Sequence, residues 1–489
     1  MSTQILLIEQ YGAAGDGVTD DGAAIRRALD DAIEMHAILR FTPGKTYLVR
    51  DIPNGEPCDR NAIFSLHGAD GVLIDGCGAL FLAAPGMAYF SMTGCKNVAL
   101  ARCRFDYAEP IYLVGTVAQC DDETVIFDVD LEPYRDSYDF APVNGFSIAY
   151  NPGVQNRPHR FMGACERIGE RKLRVTYRGV PGYAPGDLVF LPNPGIGHHF
   201  GEMSSLNWCE NARLEEVSIH AAPTFTMAVR GNRGDICFDD VRLVPNPDHP
   251  RALHMVAWRD GFHCKDNRGS LHWSRCRADV LFDDVFNVRC TLGIVTDAQP
   301  NSVSITNIEF YNHHQIVGFD ADEGDLLDIY DLETGDYYGC AEVESAAPNP
   351  DGTRCVRLKS MPEGVRSGAV VANRALGAPG STIDDSVFTG TFRFTRGMTV
   401  RNTIFDQLIT WIMVEGDVEG PLPGDLRFEK CAFNGGVVQI DAYNRQTSQY
   451  MPAIGRQIGG ISFEDCTFNG CEIENSSSSS YILQKCHIL

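Results

Sequence analysis

The chain has 489 residues, 44% hydrophobic and 22% charged, which is enough apolar material for a packed core of roughly three domains and argues against disorder. Its 41 Lys and Arg against 65 Asp and Glu leave a net charge of −24, which repels phosphate backbones and anionic lipid, so neither nucleic acid nor a membrane is an expected partner. The longest apolar run, Leu408–Val414, is far too short to span a bilayer, and seventeen cysteines without a Cys-x-x-Cys argue against a zinc ribbon.

The opening MSTQILLIEQYGAAGDG lacks a basic segment followed by an apolar one, so a cytoplasmic protein with reduced thiols is expected, although a trimmed secreted chain would read the same. One good helix follows. Thr19 or Asp20 can accept its first amide protons, and Ala23, Ala24, Ile25, Ala28, Leu29, Ala32 and Ile33 form its apolar stripe. The dense acids Asp16, Asp20 and Asp21 read as structural groups of the turn before it.

Beyond the helix one pattern recurs: apolar, any, apolar, two polar, small or apolar, any, apolar. It fits Val98–Phe105, Ile236–Leu243, Val303–Phe310, Met398–Phe405, Leu426–Phe433 and Ile461–Phe468. Leu214–Ile219 lacks the first position, and Leu271–Ala278 is a weaker copy. The sixth position is Cys at 103, 276, 431 and 466, which reads as a buried ladder of small side chains. A strand–corner–strand unit at such intervals cannot bury its own apolar face and stacks on the next, which is the mark of a solenoid.

Two stretches break the pattern, Ile111–Leu191 and Ile316–Asn373, both with charged tight turns and Gly-Asp before a strand. The expected architecture is all-β: a right-handed parallel β-helix with an N-terminal capping helix and two small inserted antiparallel β-barrels. The divisions are 1–110 for the cap and first coils, 111–191 for one barrel, 192–315 for central coils with the site, 316–373 for the second barrel and 374–489 for the last coils. Asn349–Arg354 reads as a hairpin turn, and Ser476–Ser480 as a loop.

The candidate chemistry lies in Asp260-Gly-Phe-His263 and Asp283-Asp284-Val-Phe-Asn-Val288. The two stretches are about one coil apart, and neighbouring strands lie about 4.8 Å apart, so Asp260 is expected beneath Asp284 on one face. Carboxylates that close repel, and one should hold its proton near neutrality, as glycosidic cleavage requires. The bland alternative is a polar corner of the repeat, since Glu215-Glu216, Asp239-Asp240 and Glu464-Asp465 fill a similar slot. His254, Trp258, His263 and Trp273 are aromatic or imidazole neighbours suited to a sugar ring; Arg230, Asn287, Glu415 and His313-His314 are further candidates for binding hydroxyls.

The Tyr11–Ile25 segment resembles the motif that opens pectin-lyase-like β-helix proteins. The D-G-F-H … D-D-V-x-N-V arrangement resembles glycoside hydrolase family 110, the α-1,3-galactosidases, as does a β-helix carrying small barrels. The polygalacturonases of family 28 place acids similarly, but their Asn-Thr-Asp, Gly-His-Gly and Arg-Ile-Lys signatures are missing. The family 110 resemblance implies an exo-acting, inverting enzyme on terminal α-1,3-linked galactose of an oligosaccharide or glycan. In it Asp283 would be the general acid, Asp260 and Asp284 would activate water, and neither metal nor other cofactor is implied. Inversion usually needs about 6.5–9.5 Å between the carboxyl groups, so the side chains are expected to splay. A polysaccharide lyase or polygalacturonase-like depolymerase, and a non-catalytic carbohydrate-binding solenoid, are the alternative readings, and a homo-oligomer is compatible with the sequence. No acidic cage paired with Lys or Arg, as a lyase would use, is evident.

Overall fold

The computed structural model describes the chain except residues 1–3, 51–60, 85, 110, 130–145, 151–158, 178, 180–181, 193–203, 223, 249–255, 258, 280, 308–318, 395, 416–418, 445–448 and 478. Twelve short strands stack in parallel from Ile5–Leu7 to Tyr481–Gln484, one from each coil, and further strands of the coils pair above and below in the same way. This is a parallel β-helix, right-handed as crossovers between parallel strands are.

The corner of the repeat explains its sequence. The second polar residue, at Arg102, Glu216, Asp240, Arg275, Asn402, Lys430 and Asp465, has left-handed backbone with φ between 48 and 55°. That residue turns the chain out of one strand and into the next. The residue after it is then buried with its side chain close to the carbonyl two positions back. Cys103, Cys276, Cys431 and Cys466 place Sγ 3.3–3.4 Å from the oxygens of Ala101, Ser274, Glu429 and Glu464. Ser386 and Thr403 fill the same slot with hydroxyls at 2.7 and 2.8 Å. Val217 and Val241 fill it after Glu216 and Asp240, so the slot selects a small buried side chain, and cysteine there adds a weak donor while staying largely apolar. All four cysteines are buried and free.

Inward side chains stack along the axis. Phe238 lies on Trp273 at 5.3 Å, Phe262 on Phe286 at 5.3 Å, and Phe405, Phe433 and Phe468 follow at 5.2 and 5.1 Å. Such pairs contribute about 0.5–1.5 kcal/mol each beyond the area they bury. Helix α1 (Gly22–Glu34) buries Ala24, Ile25, Ala28, Leu29 and Ala32 and packs on the strands Ile38–Arg40 and Ala62–His67. The nearby acids serve the backbone: Asp16 accepts from Val18 and Thr19, Asp20 from Gly22 and Arg50, and Asp21 from Ala14 and Gly15.

Tyr112–Cys120, Thr124–Val129, Phe146–Tyr150, His159–Arg167, Lys172–Tyr177 and Leu188–Pro192 form a closed antiparallel barrel. The coils close over it, since Ala99–Ala101 pairs directly with Arg213–Glu215. A second antiparallel ring runs from Asp284–Gln299 through Ser302–Asn307, Arg354–Leu358, Tyr337–Pro348, Leu326–Tyr330 and Val370–Asn373, and the last strand returns to Leu292–Ile294. It begins earlier than the expected 316: Ser302–Asn307, which overlaps the expected coil Val303–Phe310, is one of its strands, and 308–310 lie outside the described residues. Its alternation is that of a barrel strand, and Asn307, where the left-handed corner residue would stand, is the last residue of the strand. Arg268 fastens this ring to its coil with two 2.9 Å hydrogen bonds to the Asp325 carboxylate.

Six strands build the face that matters below: β1 (Met227–Arg230), β2 (Phe262–Lys265), β3 (Asp284–Gln299), β4 (Val387–Phe394), β5 (Ile404–Glu415) and β6 (Val437–Asn444). Each pairs in parallel with the next.

Candidate active site

The register of β2 on β3 pairs Phe262 with Phe286 and His263 with Asn287, and an isolated bridge pairs Ala257 with Leu281. Asp260 therefore lies one coil beneath Asp284. The Gly261 amide donates to the Asp284 carbonyl at 2.9 Å, and a Cβ on Gly261 would meet the Val285 carbonyl oxygen at 2.9 Å. Glycine at 261 is what lets the two coils close at this point. One oxygen from each of Asp260, Asp283 and Asp284 lies within 4.8 Å of the others, so the carboxyl groups converge rather than splay. Asp260 and Asp284 are buried and Asp283 is partly exposed. None of the three has the left-handed backbone of Glu216, Asp240 or Asp465, so this cluster is not another copy of the repeat's polar corner.

Burial drives the Asp260 pKa well above the ordinary aspartate range, and the charges of Asp283 and Asp284 push it further; Arg289 and Arg393 pull the other way without prevailing. The resemblance makes Asp283 the proton donor; the acid that burial and its two neighbours drive toward the protonated form is Asp260.

The surrounding groups form a loop of polar contacts. His263 Nδ1 lies 2.7 Å from Asp260 Oδ2, and its Nε2 lies 3.1 Å from Arg289 Nη2. A guanidinium only donates, so Nε2 accepts and Nδ1 carries the proton that faces Asp260. Arg289 also pairs with Glu419, whose other oxygen is 3.1 Å from Arg393 Nη1. Arg393 Nε lies 2.7 Å from Asp284 Oδ2, and its plane sits 4.6 Å from the centre of the Trp411 ring. Outside the loop, Arg259 Nη1 is 3.2 Å from Asp283 Oδ2, and Phe225 packs on His263 at 4.5 Å.

Of the residues singled out in the sequence, Asp260, His263, Asp283, Asp284 and Asn287 come together. Asn287 is buried, in register with His263 below and Arg393 above, and its Oδ1 meets no donor among the described residues. Arg230 is two coils below Arg289 in one column of side chains. Trp273 is fully buried in the core against Phe238 and cannot face a sugar: it is the inward residue of its strand. Glu415 ends β5, where its backbone pairs with Glu419. His254, Trp258, His313 and His314 lie outside the described residues.

Sequence reasoning missed Lys265, Arg289, Arg393, Trp411 and Glu419, and with them the basic groups that do accompany the acids. Arg393 pairs with Asn287 only once the antiparallel ring between β3 and β4 is set aside. The three carboxylates are close enough to share a divalent cation. Arg259 and Arg393 already face two of them and His263 the third, so protein groups supply much of the compensation that an ion would bring.

No family model matches the chain. A stretch of 50 residues is 44% identical to the non-secreted LysM effector LysM15 of Penicillium expansum, which covers 10% of this chain and 4% of that protein's length. Solved structures with similarity to the chain include a hyperthermoactive exopolygalacturonase from Thermotoga maritima (12% identity, 99% of this chain and 91% of that one, TM-score 0.38). They also include PfbA, a surface adhesin of Streptococcus pneumoniae (9%, 99% and 93%, TM-score 0.36), and ORF18 of Geobacillus virus E2 (10%, 98% and 62%, TM-score 0.34). At these scores none of the similarities assigns an activity, and the chain spans less than two thirds of the viral protein.

Proposed function

We propose that the chain is a glycoside hydrolase that acts from the end of a glycan on terminal α-1,3-linked galactose, with inversion at the anomeric carbon. The observation that carries the hydrolase reading is the convergence of three carboxyl groups, one driven by burial toward its protonated form and two facing guanidinium groups. Cleaving a glycosidic bond needs one carboxyl to protonate the leaving oxygen and another to take a proton from water. The galactose assignment rests on the resemblance of the Asp260–His263 and Asp283–Val288 stretches to family 110.

Asp283 is the accessible member, so it is the one that meets the glycosidic oxygen. Asp260 stores the proton in the resting site. Oxygens within 4.8 Å exchange a proton through a single bridging water, so the proton passes to Asp283 as sugar displaces solvent there. Asp260 and Asp284 are then both ionised and draw a proton from the attacking water. The glycosidic C–O bond breaks as the water oxygen bonds to the anomeric carbon. The leaving hydroxyl keeps the proton from Asp283, and the proton lost by water returns to Asp260, which restores the resting arrangement. His263 and Arg289 steady Asp260, and Arg393 steadies Asp284.

One observation favours a second stereochemistry. Oxygens of the three acids approach within 4.8 Å of one another, a convergence closer to the narrow arrangement of retaining enzymes, in which one carboxylate attacks the sugar directly, than to the wide one usual for inversion. The anomer first released decides: β-galactose means inversion and α-galactose means retention. The reading itself is tested with an α-1,3-linked galactoside and a nitrophenyl α-galactoside. Asp283→Asn should cost about 10²–10⁴-fold on the first and less on the second, whose leaving group needs little protonation. Near-normal turnover by the Asn variants of all three acids on both substrates would sink it.

A further inference from the structure

Arg230, Lys265 and Arg289 occupy the same register position in three successive coils: Arg230 pairs with Lys265 on β1 and β2, and Lys265 with Arg289 on β2 and β3. Backbones at that position are about 4.8 Å apart. Like charges directly opposite one another across a sheet are destabilising, and this chain, at −24, has carboxylates to spare for neutralising them. Arg289 has Glu419. Lys265, between the two arginines, has no ion pair or side-chain hydrogen bond among the described residues, although Asp266 and Glu419 are near enough to act on its charge. Burial and the two flanking arginines lower its pKa, so positive charge is costly at this position and an anion placed there would relieve it. The column adjoins the acids: His263, which touches Asp260, is two residues before Lys265 on the same face of β2, about 7 Å away along the strand, and Arg289 touches His263 itself.

We propose that Lys265, flanked by Arg230 and Arg289, forms a subsite for an anionic substituent, a carboxylate or a sulfate ester, on the sugar beside the bond that is cleaved. The proposal rests on the hydrolase reading of the acids and names the substrate class that the neighbouring cations select. It also reverses what the net charge suggests. A negative protein as a whole repels a polyanion, but a single anionic group close to the acids meets a local column of positive charge. Lys265 gives a point charge and Arg230 a planar fork, while Arg289, held by Glu419 and His263, adds its field, so the chemistry recognised is one negative charge with two or three acceptor oxygens.

The test uses the full chain and three nitrophenyl glycosides with one aglycone: α-galactoside, its 6-sulfate and α-galacturonide. Wild type should prefer at least one charged substrate in kcat/KM, and which one separates sulfate from carboxylate. Lys265→Gln should lower the charged-to-neutral ratio by about 10- to 100-fold, as loss of a charge-assisted hydrogen bond does, and Lys265→Arg should restore much of it. Calorimetric binding of galacturonate, galactose 6-sulfate and galactose reads the subsite without catalysis. Tighter binding of a charged sugar, weakened in Lys265→Gln, would support the subsite even if no glycoside were cleaved, and that combination would sink the hydrolase reading alone. A wild type that binds and cleaves the neutral sugar best, with a ratio that Lys265→Gln leaves alone, overturns the subsite. Matching thermal melts for the variants exclude misfolding as the cause.

Discussion

Arg393→Met is the most informative single perturbation of the site's framework. The Asp284 side chain is 3% exposed and Arg393 18%, with 2.7 Å between them, so the substitution leaves a buried carboxylate facing no cation on that side. Methionine keeps an aliphatic stem against Trp411, so the loss is electrostatic more than steric. Breaking a buried pair from one side costs about 3–5 kcal/mol, a hundredfold or more in the folding equilibrium. The converse change is milder: in Asp284→Asn the arginine still has Glu419 at 3.1 Å. The asymmetry makes the double mutant decisive. Asparagine at 284 needs no cation, so Arg393→Met should cost much less in the Asp284→Asn background, with a coupling of about 2–3 kcal/mol. Urea unfolding followed by tryptophan fluorescence, with hydrogen exchange of β3 and β4 as the local readout, measures all four corners. A loss under about 1 kcal/mol for Arg393→Met, with additivity within about 0.5 kcal/mol, would show that the pair does not hold the site together.

Three further outcomes follow from other features. The Asp260 pKa is higher in the folded chain than in the unfolded one, so its contribution to stability is fully present below the unfolded value and is lost as pH rises through the folded value. Urea midpoints should decline over that interval in the wild type and not in Asp260→Asn, and superimposable profiles would contradict the buried proton. Cys103, Cys276, Cys431 and Cys466 should resist a thiol reagent in the native protein while the exposed Cys340 reacts; rapid labelling of all four would defeat the ladder. Gly269→Ala would place a Cβ 2.0 Å from the Gly234 carbonyl oxygen of the neighbouring coil, so a loss at or above the top of the roughly 1–3 kcal/mol range is expected. Gly459→Ala, which meets nothing within 4 Å, should be tolerated, and equal melting temperatures for the two would refute the close approach of the coils.

The fold was legible because the corner repeats. Two polar residues followed by a small one mark a left-handed turn, and the copy at Ser381–Phe388, with Ser386 in the cysteine slot as Val217 and Val241 are in two other coils, shows that the signal is a small buried side chain and not cysteine itself. Val303–Asn307 misled because a barrel strand alternates with the same period as a coil strand, and the strand backbone at Asn307 separates them. In the site, Asp260 under Asp284 was legible because one uninterrupted coil lies between them. Arg393 was not, because the antiparallel ring intervenes, and adjacency across an insertion leaves no spacing to read. Trp273 could have been placed correctly: it shares the inward alternation of Leu271, and an aromatic at such a position belongs to the core.

The two insertions differ in how they are joined to the solenoid, and the difference bears on how such a protein can change over generations. The first barrel starts and ends in strands of its own, and the coils on either side already pair with each other, so it can be gained, lost or exchanged as a cassette. The second does not start cleanly. β3 is one strand of sixteen residues that leaves the acid cluster at Asp284 and runs on as the first stave of the ring. Any recombination that replaces this ring must cut the strand that carries the acid, a few residues beyond Asp284, so a change of ring falls close to the chemistry.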